Sequence, residues 1–210
     1  MHRRQGIWAK FALLIFLILL MPMLIGCGHP WKSVIQARPN PFVGRNQYAV
    51  LPVSYENLMV GETPERIYLE SKDAEKRASW EADKASINEL YTNALIAAAA
   101  DAGLSVVRAT GPSAAPFLIR TQILMMEPGF YAAIVNKDSE MHLVVQITDQ
   151  RGAVYDEIQI HRIVSNAGQG VVDAAISGTM TSGGRLKQAS EDAGHVTGKY
   201  LQFRFEGGGD

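Results

Sequence analysis

Residues 141–164 read MHLVVQITDQRGAVYDEIQIHRIV. Two runs, 141–148 and 154–164, are rich in β-branched and other strand-forming residues. Asp149-Gln150-Arg151-Gly152 separates them, and Asp and Gly both suit a tight chain reversal. The stretch predicts an antiparallel hairpin. Residues 117–126 (FLIRTQILMM) have the same character just upstream. Three β runs in succession predict a sheet that is largely antiparallel.

On the amino-terminal side, residues 47–53 (QYAVLPV) predict a first strand ended by Pro52, which has no ladder donor. Residues 54–72 form a long polar connection in which Gly61 and Pro64 break any period. Between residues 73 and 102, Trp80, Ile87, Leu90, Tyr91, Ala94, Leu95, Ala98 and Ala102 recur at spacings of three and four, the signature of an amphipathic helix. Gly103 suits its carboxyl-terminal stop, and the alanines at 97–100 allow close approach to another layer. A strand over 104–110 and a turn at Gly111-Pro112-Ser113 follow. Past the hairpin, 166–170 reads as a loop and 171–203 as helical with a Gly183-Gly184 interruption. The order β-α-β-β-β-β-α predicts an α/β domain over 47–203, one mixed, largely antiparallel sheet covered by helices, with a right-handed crossover through the first helix. Residues 204–210 read as a flexible tail.

The amino terminus has a different logic. Arg3, Arg4 and Lys10 precede an almost unbroken apolar run over 11–25, with no acid before residue 27. Fifteen helical residues span about 22 Å, short of the roughly 30 Å hydrocarbon core. The pattern reads as a signal peptide over 1–26. Leu24-Ile25-Gly26-Cys27 then resembles a bacterial lipobox, with the chain's one cysteine behind a small residue. That resemblance implies diacylglyceryl attachment to Cys27, cleavage after Gly26 and acylation, palmitate included, of the new amino terminus. Several acyl chains hold a protein stably on a membrane that it does not span. Gly28 rather than Asp follows the lipidated position, which implies the outer membrane. Residues 27–46, with Pro30, Pro39 and Pro41 and no sustained period, read as a tether, and Trp31 as a membrane-interface residue.

Composition narrows the function classes. The chain of 210 residues carries 20 Lys and Arg against 21 Asp and Glu, so no broad basic footprint marks a nucleic-acid binder. Removing residues 1–26 takes three bases and no acid, leaving 17 basic and 21 acidic side chains and no polybasic second anchor. Lipidation of Cys27 leaves no thiol for a disulfide or a nucleophile. GxSxG, HExxH, CxxC and EF-hand patterns are absent. Residues 178–185 (GTMTSGGR) mimic the spacing of a phosphate loop, but Gly184 and Arg185 stand where Lys and Ser or Thr are required. Trp80 reads as core or partly buried cover, and Met125-Met126 as core filler.

The hairpin generates one set of metal candidates. If Thr148 closes the turn opposite Ala153, His142 pairs with Gln159 and Glu140 with His161, so Glu140, His142 and His161 share one face. Two imidazoles and a carboxylate at diagonal spacing suit a His₂Glu site. A one-residue slip sends His161 to the other face. The expectation is that no metal or other cofactor is bound and that these are polar residues on the less buried face.

The lipobox, the YAVLPV strand, the Ala-rich helix ending in Asp101-Ala102-Gly103, the QITDQRGAVYDE hairpin and the Gly-containing last helix together resemble a group of small bacterial envelope lipoproteins. Their domain is similar to the amino-terminal domain of TolB. The group includes the curli secretion lipoprotein and the lipoprotein activator of a penicillin-binding protein. The resemblance implies a non-enzymatic docking or assembly subunit on the periplasmic face of the outer membrane. Its partners would be membrane lipid through Cys27, an envelope protein and a second copy of the chain, with no nucleic acid. The alternatives are a small-ligand or lipid carrier and a metal-dependent hydrolase.

Overall fold

The computed structural model describes residues 28–110, 115–131, 136–165 and 181–209. The signal peptide, Cys27, the turn at 111–113 and the segment 166–180 lie outside the described residues.

Three long strands form the middle of the sheet: β6 (Phe117–Glu127), β9 (Ser139–Thr148) and β10 (Val154–Val164), paired antiparallel in the order β10-β9-β6. Strand β2 (Gln47–Val50) lies parallel both to β6 and to β5 (Ser105–Arg108). Strand β1 (Lys32–Gln36) pairs antiparallel with β10, so the order across the sheet is β1-β10-β9-β6-β2-β5. The mixed, mostly antiparallel sheet expected from the alternating runs is present. Helix α1 (Glu65–Glu70) is a short element. Helix α2 (Ala74–Asp101) and helix α3 (Ser182–Phe205) pack against each other, and α3 also packs on β9 and β10.

Period-two patterning decides which side of the sheet faces the helices. Along β9, Ser139, Met141, Leu143, Val145 and Ile147 are buried, while Glu140, His142, Val144 and Gln146 are only partly buried. Met141, Leu143, Val145 and Ile147 join Ile158 and Ile160 of β10 and Ile87, Tyr91, Leu95, Leu186, Tyr200 and Leu201 of the helices in one core. Asp73 caps α2, its Oδ1 accepting from the Lys76 amide at 2.8 Å. Close contact of the helices depends on two glycines of α3: a Cβ at Gly194 would collide with the Tyr91 carbonyl, and one at Gly198 with Ala98 and Ala99. The Ala-rich end of α2 thus does what its composition predicts.

Residues 27–46 are not a free tether in the part described. β1 extends the sheet, and Phe42 is 0% exposed, set edge-on to Phe117 at 4.9 Å. The strand KSVIQ is exposed along most of its length, so no apolar alternation marks it, and the edge of β10 supplies its ladder. Trp31 is built into the domain, stacked on His29 at 4.5 Å and edge-on to Tyr200 at 5.3 Å. At the other end, residues 204–210 do not begin a free tail. Arg204 is completely buried, with Nε 2.8 Å from Asp156 Oδ2, and Phe205 packs against the core. The connection at 54–72 is likewise structured: β3 (Met59–Val60) pairs with β4 (Thr63–Pro64) and with β6, and α1 follows. Between β6 and β9, the short strands β7 (Phe130–Tyr131) and β8 (Asn136–Lys137) pair with each other. Gly183-Gly184 does not interrupt a helix. Both lie in the first turn of α3, where Thr181 Oγ1 accepts from the Gly184 amide at 3.0 Å.

Candidate metal centre

Among the described residues the helices leave the other side of the sheet open, and Glu140, His142 and His161 come together there. Their placement follows from the turn. Asp149 Oδ1 accepts from the amides of Arg151 and Ala153 at 2.8 and 2.9 Å, and Gly152 takes φ +87°, in the left-handed region that favours glycine. The turn closes one residue later than the sequence suggests, pairing Thr148 with Val154, and a bulge between Val154 and Asp156 adds a second residue. Either shift alone would send His161 to the core side; together they restore its face. His142 therefore stands opposite His161 rather than Gln159, and Glu140 opposite Ile163 rather than His161.

Direct opposition brings the imidazoles closer than a diagonal would. Their ring centroids are 4.0 Å apart at an interplanar angle of 66°. Glu140 Oε2 lies 3.3 Å from His161 Nε2 and 3.7 Å from His142 Nε2. The three ligand atoms all fall within 4.8 Å of one another. Burial holds the His142 imidazole below its ordinary pKa of 6.5, with proximity to His161 acting the same way and Glu140 opposing. Its Nε2 is shielded from solvent and has no hydrogen-bond partner. The arrangement thus offers a neutral imidazole, a second imidazole and a carboxylate, a donor set suited to a borderline-soft divalent cation.

The histidines open into a cleft of about 580 Å³ that also touches His29, Trp31, Lys32 and Leu124. Lys32 is paired with Gln159 on the neighbouring strand, so β1 walls this cleft. Glu127 faces Glu140 across the β6–β9 pair, and its Oε2 accepts from Lys137 Nζ at 2.6 Å. Sequence reasoning missed this wall because the segment carrying His29 to Lys32 reads as a linker.

A second cleft, of about 290 Å³, lies where Tyr68, Lys72, Lys76, Trp80 and Asp83 meet the start of α3. Of the glycines that mimic a phosphate loop, Gly183 lines this cleft and lies against the Asp83 carboxylate, which is paired with Lys187 at 2.8 Å, while Gly178 lies outside the described residues. A carboxylate at the helix start opposes phosphate binding. Trp80 is buried at 8% exposure, with Nε1 donating to Glu65 Oε1 at 2.6 Å, and Met126 is fully buried, as core readings expect, whereas Met125 is only partly buried and lies outside the core.

No protein-family model matches the chain, and no curated protein matches it in sequence. Among solved structures it is similar to the PelC dodecamer from Paraburkholderia phytofirmans, at 11% identity and a TM-score of 0.42 over 80% of this chain and 96% of that one. It is also similar to protein XCC0632 from Xanthomonas campestris, of family-model DUF330, at 13% identity and a TM-score of 0.45 over 81% and 91% of the two chains. A third is the hypothetical protein CT253 from Chlamydia trachomatis, at 14% identity and a TM-score of 0.43 over 77% and 98%. The structural neighbours are PelC- and DUF330-like bacterial proteins.

Proposed function

We propose that this chain is a lipid-anchored envelope lipoprotein, similar to the TolB amino-terminal-domain group, that works without catalysis by docking a protein partner at the membrane. Its place is the periplasmic face of the outer membrane, with Cys27 carrying the acyl chains. The observation that supports this reading is the position of β1. Only residues 28–31 separate Cys27 from Lys32, the first residue of the edge strand, a reach of at most about 18 Å in extended chain. An anchor at Cys27 therefore keeps the β1 edge and the open sheet face close to the lipid headgroups. That face exposes Ile35, Leu124 and Ile163 among polar side chains, at 44%, 38% and 53%. An apolar group set in a polar rim suits contact with another protein.

The test is crosslinking in intact cells with the native protein, Cys27→Ser and Ile163→Asp. Docking predicts a discrete envelope protein captured by the native chain, lost when the anchor is removed, and weakened by the charge at position 163. Incorporation of labelled palmitate into the native chain but not into Cys27→Ser checks the anchor separately. Recovery of the chain crosslinked only to itself would overturn docking to a different protein.

A further inference from the structure

We propose that Glu140, His142 and His161 form a binding site for one first-row divalent cation, Zn²⁺ foremost, on the open face of the sheet. This goes beyond the docking reading and does not depend on it.

Geometry carries the inference. Donors 2.0–2.1 Å from a tetrahedral ion lie about 3.3 Å apart. The separations of 3.3 Å and 3.7 Å from Glu140 Oε2 to the two Nε2 atoms are at or near that edge length. The remaining edge, between the two imidazoles, lies within 4.8 Å, and rotation of the exposed His161 ring closes it towards the same length. A plain ion pair explains less, because Glu140 and His161 would satisfy each other while the shielded His142 Nε2, 3.7 Å from the same carboxylate oxygen, stays beyond hydrogen-bond distance. A cation bound to both imidazoles and the carboxylate satisfies all three donors.

Rigidity supports the same conclusion. The donors stand on β9 and β10, whose continuous antiparallel ladder pairs His142 directly with His161, so ladder hydrogen bonds set their backbone spacing, and β6 backs β9 on its other side. Two imidazoles and one carboxylate favour zinc, nickel or copper over magnesium or calcium, which prefer all-oxygen sites. Three protein ligands leave a fourth position, and the cleft beside the histidines admits water or a side chain there. Among the described residues, the charged and titratable groups around the site are His29, Lys32 and Arg162, which line the cleft, and the Glu127–Lys137 pair beside Glu140.

The experiment uses the full-length protein, untagged and purified in detergent, titrated with Zn²⁺ alone by calorimetry and with Co²⁺ alone by visible absorption. One Zn²⁺ per chain is expected, with intense four-coordinate Co²⁺ bands and no response to Mg²⁺. His161→Gln and Glu140→Gln each change a partly exposed side chain and are expected to weaken Zn²⁺ binding by at least about tenfold. The urea midpoint of each metal-free variant checks that the fold is kept. A stoichiometric ion bound equally well by wild type and by the His142→Gln/His161→Gln double variant would place the metal elsewhere and overturn the proposal. Absence of binding at micromolar Zn²⁺ would overturn it as well.

Discussion

Arg204 and Asp156 form a fully buried ion pair, Nε to Oδ2 at 2.8 Å, that joins the last turn of α3 to the start of β10. The same carboxylate accepts from Tyr200 Oη at 2.5 Å and from the Ala37 amide at 2.8 Å, while Arg204 donates to the carbonyls of Ala37 and Gly208. One charge pair thus ties together the segment after β1, the hairpin and the end of the chain. Removing one partner leaves the other charge buried and uncompensated, at a cost of about 3–5 kcal/mol. Arg204→Met is expected to lower unfolding stability by that order, read from urea midpoints. A loss under about 1 kcal/mol would show that the pair is not what holds this end.

Phe42 tests whether the segment after the anchor belongs to the domain. It is sealed among Tyr48, Phe117 and Tyr155. Phe42→Ala is expected to cost about 3–5 kcal/mol, the range for an aromatic removed from a packed core. The same substitution in a free tether would leave the urea midpoint unchanged.

Gly198 allows α2 and α3 to touch through backbone. A methyl group there meets Ala98 Cβ and the Ala99 amide, which cannot swing aside as a long side chain would. Gly198→Ala gains helix propensity, yet it is expected to destabilise by about 1–3 kcal/mol through overpacking. Thermal unfolding distinguishes the two signs directly.

Tyr91 makes alkaline stability depend on the core. Burial pushes its phenol up to about 12, against the opposing pull of hydrogen bonds with Thr121 and Thr197. Its folded pKa lies above the unfolded value of 10.0, so this contribution is complete below pH 10 and is lost as pH rises towards 12. Tyr48, Tyr55 and Tyr200 are displaced in the same direction, chiefly by burial. Tyr91→Phe is expected to make the fall in stability between pH 9 and pH 11 shallower. At pH 7 it should cost about 1–2 kcal/mol for the hydrogen bonds removed. Urea midpoints across that pH range test both halves.

The long strands and α2 were legible because each is patterned by its own local environment. Alternation along 139–148 and three-four spacing from Trp80 to Ala102 express which side meets the core. The terminal segments were not legible for the opposite reason. Lys32–Gln36 carries little apolar alternation because its partner is the exposed edge of β10, and Phe42, between Pro41 and the exposed Val43, is a lone buried side chain whose pocket is built by residues far along the chain. The end of α3 was cut short because a charged residue such as Arg204 ordinarily signals solvent, whereas its counter-charge, Asp156, lies 48 positions away.

The candidate metal centre divides along the same line. Residue identities and strand periodicity were enough to place Glu140, His142 and His161 on one face, since side chains alternate whatever partner the strand acquires. Which residues oppose each other was decided only in the folded hairpin, by a turn closing on Val154 and a bulge before Asp156. These are differences of one residue in register, set by backbone hydrogen bonding and by packing against a distant core. Periodicity carries no record of them, and on them depends the approach of the two imidazoles to 4.0 Å.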